Sequence, residues 1–282
     1  MRGYLSSVLI CCSLSACFTI QIAEKDVLRP DVRTGTVHQD KIQAAELQKI
    51  APEFKLEWLQ ATQIKDASIQ GIRLQLQDQA VSVLYFGGNL FHLDQSANYL
   101  QRIAHQCQVN WIAYDHRGSG RSSGSPDVES MRKDALAIYD QTRAQVSGKL
   151  IVHGQSLGSF IAAYLAQQRK LDGLVLETTG TTIQELGEAQ IPWFATPFAR
   201  VEVAPPLQVI NNIQAINQFQ APALVLTGGN DQTTPAALGE KVFHALPAGN
   251  KTYYLSPQAG HNGLLARKDV QKVYCDFLHQ IK

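Results

Sequence analysis

The sequence predicts an α/β fold, a mostly parallel central sheet flanked by helices, with a small insert late in the chain. Three observations predict it. Apolar runs at residues 80–86, 109–114, 150–152, 171–177 and 223–227 are short, and they lack the alternation of a strand exposed on one face. Helix-length stretches separate most of them, as right-handed βαβ units require. Finally, Gly154-Gln155-Ser156-Leu157-Gly158 stands where one such run gives way to a helical pattern. The 282 residues hold ample chain for one large core.

The formal net charge is +1 and only 17% of residues are charged, so nucleic acid is not an expected partner. The N-terminus has its own pattern. Met1-Arg2-Gly3-Tyr4 precedes an uncharged, largely apolar stretch at 5–18, long enough for a signal-peptide core and too short to cross a bilayer. It contains Leu14-Ser15-Ala16-Cys17, which resembles the bacterial lipobox. That resemblance implies a signal peptide at 1–16 and lipid attachment at Cys17. An ordinary secretory signal and a misplaced start are the alternatives. Phe18 follows where an aspartate would suggest inner-membrane retention, so the expectation is an exported, lipid-anchored envelope protein with the outer membrane favoured. Cys11, Cys12 and Cys17 belong to this segment, leaving Cys107 and Cys275 as either a disulfide or two buried thiols. There is no C-x-x-C and no metal-ligand spacing. Neither metal nor cofactor is expected.

In chain order, 17–50 reads as a lipidated N-terminus and tether, with Pro30 and Gly35 as breakers and a short helix at 40–50. The remaining domain spans 51–282. Residues 54–64 and 69–76 read as an antiparallel pair opening the sheet. The strand at 80–86 ends in Gly87-Gly88-Asn89, ahead of a helix at 93–107. The strand at 109–114 ends in a loop from Asp115 to Gly124, and Pro126-Asp127 opens a helix through 146. After the 171–177 strand the rhythm breaks. Residues 178–220 hold Trp193 and several prolines with no clean strand, and are expected to cap the carboxyl ends of the strands, where open α/β sheets place their sites. Strand and helix then resume at 223–227, 235–246, 251–255 and 263–281.

A serine hydroxyl needs a base to take its proton, and that base needs a carboxylate to orient it. Ser156 on a strand-to-helix turn is the candidate nucleophile. Asp231 follows the 223–226 strand, and His261 follows the 253–255 strand. Alone, Asp231 reads as a turn former, His261 as a loop histidine and the G-x-S-x-G as a plain Gly-Ser turn. Together, in that chain order and each at a strand end, they read as nucleophile, orienting acid and base. An oxyanion needs two preorganised N–H donors. Leu157 supplies one, and Gly88 or Asn89 the other, with Asn89 preferred. Of the other histidines, His153 is expected to pack near the turn.

VLYFGGN, YDHRGSGRSSGSP, GQSLGS, LTGGNDQTTP and AGHNG, spread over residues 81–263, resemble the α/β-hydrolases of the BEM46-like and serine-aminopeptidase S33 type. The resemblance implies the α/β-hydrolase fold and makes Asp115 and Arg117 structural, shaping a pocket floor. Gly87 departs from it, since many relatives carry a histidine there. The expected reaction is hydrolysis of a carboxylic ester on a small acyl substrate through an acyl-enzyme, at a membrane surface reached through Cys17. Ile191, Pro192, Trp193, Phe194 and Phe198 either pack the cap or line an acyl pocket. Thioesterase and aminopeptidase chemistry are the rivals, the latter with Glu185, Glu188 or Glu202 holding a substrate ammonium. A non-catalytic envelope binding protein is a further rival. No oligomeric state is legible.

Overall fold

The computed structural model describes residues 18–38, 40–62, 64–76, 81–247 and 249–281; the expected signal peptide and Cys17 lie outside them. The chain opens with β1 (Phe18–Ile22), α1 (Glu24–Val27), α2 (Asp31–Thr34) and α3 (Ala44–Ile50). Next come β2 (Lys55–Gln60), β3 (Gln70–Gln75), β4 (Ser82–Phe86), α4 (Leu93–Cys107), β5 (Asn110–Tyr114) and α5 (Val128–Gln145). Then follow β6 (Leu150–Gln155), α6 (Leu157–Gln168), β7 (Gly173–Glu177), α7 (Ile183–Ala189), β8 (Ala199–Val203), α8 (Pro205–Gln208) and α9 (Asn212–Ile216). The chain ends with β9 (Ala223–Gly228), α10 (Ala236–Ala245), β10 (Lys251–Ser256) and α11 (Lys268–Gln280).

Eight strands form one sheet in the order β10-β9-β7-β6-β4-β5-β3-β2. From β10 through β5 all neighbours are parallel, while β3 and β2 are the antiparallel pair expected at the opening. The inner strands are largely apolar because alternate residues enter different cores. Leu84 and Phe86 of β4 pack in one core, with residues of α5 and α6, while Val83 and Tyr85 pack in the other, with α4 and α11. Because β5 and β6 flank β4 on opposite sides, the order reverses at β4. The loops leaving β4 and β6 therefore border a crevice at the carboxyl edge. Cys107, at the end of α4, is disulfide-bonded to Cys275 of α11 with 4.9 Å between their Cα atoms.

Two expectations are corrected. Residues 18–34 are a packed strap rather than a loose tether, and the 178–220 insert does contain a strand. β1 pairs in parallel with β8, from Phe18 beside Ala199 to Ile22 beside Val203. Apolar and polar residues alternate in both five-residue segments, FTIQI and ARVEV; once paired, Val201 and Val203 of β8 are buried while β1 stays largely exposed. Past β1, Leu28 is buried, and the Asp31 carboxylate accepts from the Gly120 N–H at 2.9 Å and pairs with His92 Nε2 at 2.7 Å.

Candidate active site

Ser156 joins β6 to α6 at φ 52° and ψ −114°, a region an L-residue occupies only when its surroundings force it. The forcing contacts are visible. Its N–H donates to the Glu177 carbonyl at 2.9 Å. A Cβ on Gly154 would lie 2.1 Å from the Gly158 carbonyl oxygen, and one on Gly158 would lie 1.9 Å from that of Phe86. Both motif glycines are thus required by close backbone approach, which a plain Gly-Ser turn would not demand.

His261 Nε2 lies 2.9 Å from Ser156 Oγ, and His261 Nδ1 lies 2.9 Å from Asp231 Oδ2. An ionised carboxylate only accepts, so the ring proton sits on Nδ1 and Nε2 is free to accept from the serine. Asp231 is itself held. Its Oδ1 accepts from the N–H groups of Thr233 and Thr234 at 2.8 and 2.9 Å, and its Oδ2 accepts from Thr234 Oγ1 at 2.6 Å. Burial pushes this carboxyl up, but the bonds from His261 and Thr234 outweigh it and hold it below its usual value. Serine, histidine and aspartate thus lie on one hydrogen-bonded line. Such a line can draw a proton off the serine and stabilise the imidazolium that results. Thr234 is the residue sequence reasoning missed. Its only trace was the Asp231-Gln232-Thr233-Thr234 spacing, which reads equally as an ordinary Asx-type turn.

The loop after β4 lies against Ser156, since a Cβ on Gly88 would stand 3.2 Å from Ser156 Cβ. Asn89 donates its side-chain amide to the Val27 carbonyl at 2.5 Å, leaving its backbone as the group to serve the site. Leu157 begins α6, where the first N–H groups lack intrahelical partners. Gly87 has a physical reason as well. A Cβ there would sit 2.2 Å from the Phe91 ring, and the Gly87 carbonyl instead accepts from His116 Nε2 at 2.8 Å. Burial pushes His116 down, which favours its neutral form.

Asp115 and Arg117 are occupied structurally. Asp115 accepts from the N–H groups of Leu93 and Arg121, both at 2.8 Å, and burial pushes its carboxyl up to about 6. Arg117 forks onto Asp134 at 2.7 and 2.8 Å and reaches Asp66 at 3.0 Å. His153 is fully buried beneath the turn, 3.0 Å from Glu177 Oε2 and 3.1 Å from the Tyr274 hydroxyl. Among the described residues the candidate ligand atoms of His38, Asp40 and Asp94 lie within 4.8 Å of one another. Asp94, however, is already forked by Arg121 at 2.8 Å and accepts from two backbone N–H groups, so the group reads as an ion-pair network.

Trp193, Phe194 and Phe198 of the insert are exposed, whereas Phe219 packs against the core. Trp193 is 85% exposed, Phe194 64% and Phe198 49%, on the turn that leads into β8. Pro192 and its neighbours form that turn through the Ala195 N–H to Pro192 carbonyl bond, so their rings project outward. Glu185 pairs with Lys241 at 2.6 Å, Glu188 accepts from Gln184 at 2.6 Å, and Glu202 accepts from Gln21 at 2.6 Å.

These features are those of the α/β-hydrolases, and the chain belongs to that superfamily. Within it, residues 78–218 match the hydrolase family described as serine aminopeptidase, S33, to which the chain belongs. An uncharacterized protein of Mycobacterium tuberculosis is 32% identical over 184 residues, 64% of this chain and 63% of its own length. The lysophosphatidylserine lipase ABHD12 of Danio rerio is 27% identical over 158 residues, 51% of this chain and 41% of that protein. Among solved structures, the esterase Pf2001 of Pyrococcus furiosus superposes with a TM-score of 0.62 at 15% identity, covering 86% of this chain and 99% of that one. The chain thus spans less than two thirds of the length of these two curated relatives.

Proposed function

We propose that this protein is a serine hydrolase that cleaves carboxylic esters through an acyl-enzyme. Ser156 is the nucleophile, His261 the base and Asp231 the orienting acid, with the N–H groups of Leu157 and Asn89 as oxyanion donors. The hydrogen-bonded line from Ser156 Oγ through His261 to Asp231 carries this reading. In the first half-reaction the serine oxygen adds to the carbonyl carbon while its proton passes to Nε2, and that proton then leaves with the alcohol. Water repeats the sequence on the acyl-enzyme and returns free serine and a carboxylic acid. Among the relatives, one protein is named a lipase and one solved neighbour an esterase, which favours an ester over a peptide. The three glutamates suited to an aminopeptidase's ammonium site are each engaged with another side chain.

Intact-mass spectrometry after exposure to an ethoxy-fluorophosphonate tests the reading, beside Ser156→Ala. One adduct on the wild type and none on the variant is expected. An unlabelled, folded wild type would overturn the reading and favour a non-catalytic binding role.

The place of action is proposed to be a membrane surface in the bacterial envelope, outer membrane favoured, reached through lipid on Cys17. Three observations support it: the apolar stretch ahead of Cys17, the exposed Phe18 hydrogen-bonded through its N–H to Phe198, and exposed Trp193 and Phe194 on the same turn. A disulfide between Cys107 and Cys275 accords with an oxidising compartment. Globomycin treatment of a bacterial host should accumulate the unprocessed precursor, and Cys17→Ser should release the protein from membranes. Membrane retention of that variant at wild-type level would argue against lipid anchoring.

A further inference from the structure

A pocket lined mainly by apolar residues lies between the N-terminal strap and α5. It meets the candidate site at Asn89 and Leu157, the two residues assigned to the oxyanion. Leu28 and Pro30 of the strap form one wall, and Met131, Ile138 of α5 and Ile161 of α6 stand among the others. Leu28 is 4% exposed, although it lies in a segment without a periodic apolar pattern. It is held in place from both sides, by the Asn89 amide on Val27 and by the Asp31 carboxylate on Gly120 and His92.

The polar side chains bordering this space are largely committed elsewhere. Arg117 and Asp134 satisfy one another, Asp115 accepts two backbone N–H groups, and His116 donates to Gly87. Those commitments leave little to hold an alcohol, a sugar or an ammonium within the cavity. The walls are mainly hydrocarbon, with Arg29 and Ser119 as further polar side chains on the lining. The insert, by contrast, contributes none of its residues to the lining.

We infer that this cavity receives the acyl chain of the substrate, with Leu28 of the strap and Ile138 of α5 as the residues that set chain length. The inference rests on the serine-hydrolase reading and names the substrate class of that same site: esters of unbranched fatty acids. A carbonyl held by the N–H groups of Asn89 and Leu157 stands at the cavity's entrance, and an unbranched chain extending past them enters between strap and α5. Each methylene buried there should raise kcat/KM about fourfold, so longer chains gain until the wall at Leu28 is reached.

The test measures kcat/KM for p-nitrophenyl esters from acetate to decanoate. Leu28→Trp and Ile138→Trp fill the cavity, and each should lower the decanoate-to-acetate ratio at least tenfold. Leu28→Ala opens the wall without adding bulk, and should move the preferred chain length upward by two carbons or more. Trp193→Ala, on the exposed turn, should leave the ratio as it is. An unmoved profile in these variants, each labelled by fluorophosphonate and therefore folded, would overturn the inference while the hydrolase reading stands. A profile that moves only with Trp193→Ala would overturn it in favour of the insert. Failure of the wild type itself to label would remove the reading beneath both.

Discussion

At Ser156 the backbone is held at positive φ, and the hydroxyl stands within hydrogen-bonding distance of a histidine whose other nitrogen faces a carboxylate. Ser156→Ala should therefore reduce ester turnover by about 10⁴-fold or more, and Asp231→Asn by about 10³- to 10⁴-fold, because the wrong tautomer of His261 is then favoured. Since Asp231 is held below the ordinary carboxylate range, it stays ionised above about pH 4. Thr234 acts through Asp231. Thr234→Val should lower kcat about tenfold with KM little changed, and Thr234→Ser should restore it, the factor of ten matching one lost hydrogen bond of about 1.4 kcal/mol. Ser156, Asp231 and His261 were legible in the sequence because each stands where an apolar run ends. Thr234 was not, since its role exists only once the Asp231 carboxylate has been placed beside it.

The elements differ in how far their residues announce them. Strands β4 to β7 and β9 were readable because both faces are buried, which writes an unbroken apolar run into the chain. Helix α5 was readable from Asp127, whose carboxylate accepts from the Ser130 N–H at 2.6 Å. Asp127→Ala should lower stability by about 1 kcal/mol with kcat unchanged, checked by denaturant unfolding beside steady-state kinetics. The strap and β8 were not readable. Their five-residue strands pair across 181 positions, and neither segment shows a buried face by itself. At the turn between β6 and α6 space is the constraint. Gly158→Ala would drive a methyl onto the Phe86 carbonyl, so it should destabilise the fold by about 3 kcal/mol or more and yield little folded protein.

For the whole molecule, two sets of carboxyls pull stability in opposite directions with pH. Asp115, raised to about 6 by burial, binds a proton in the folded state that the unfolded chain binds only near 4, so its charge opposes folding at neutral pH. Acidification from pH 7 toward 5 therefore adds stability through this group. Asp231 and Asp127 are lowered, Asp231 by the bonds that outweigh its burial and Asp127 by Ser130; their stabilisation is present above about pH 4 and lost as pH falls through their folded values. His116, whose protonation burial disfavours, opposes that gain over the same range, so the Asp115 contribution is read against Asp115→Asn: the wild type should gain melting temperature relative to the variant from pH 7 to about 5, measurable by calorimetry in matched buffers. A difference between the two that stayed constant over that range would show Asp115 to be ionised throughout. The Cys107–Cys275 bond spans 168 residues, and replacing both cysteines with serine should reduce stability by about 2–5 kcal/mol. The two cysteines were legible in the sequence, but their pairing was not, because it depends on where α4 and α11 meet.

That long loop has a consequence for proteolysis. The exposed turn around Trp193 is the kind of site a protease cuts, and it lies between the two bridged cysteines. A nick there would place Ser156 on one fragment and both Asp231 and His261 on the other. The bridge would keep the fragments in a single covalent body, migrating as one band until a reductant is added. On the serine-hydrolase reading, the clipped protein would then lose ester turnover under reduction rather than at the moment of cutting.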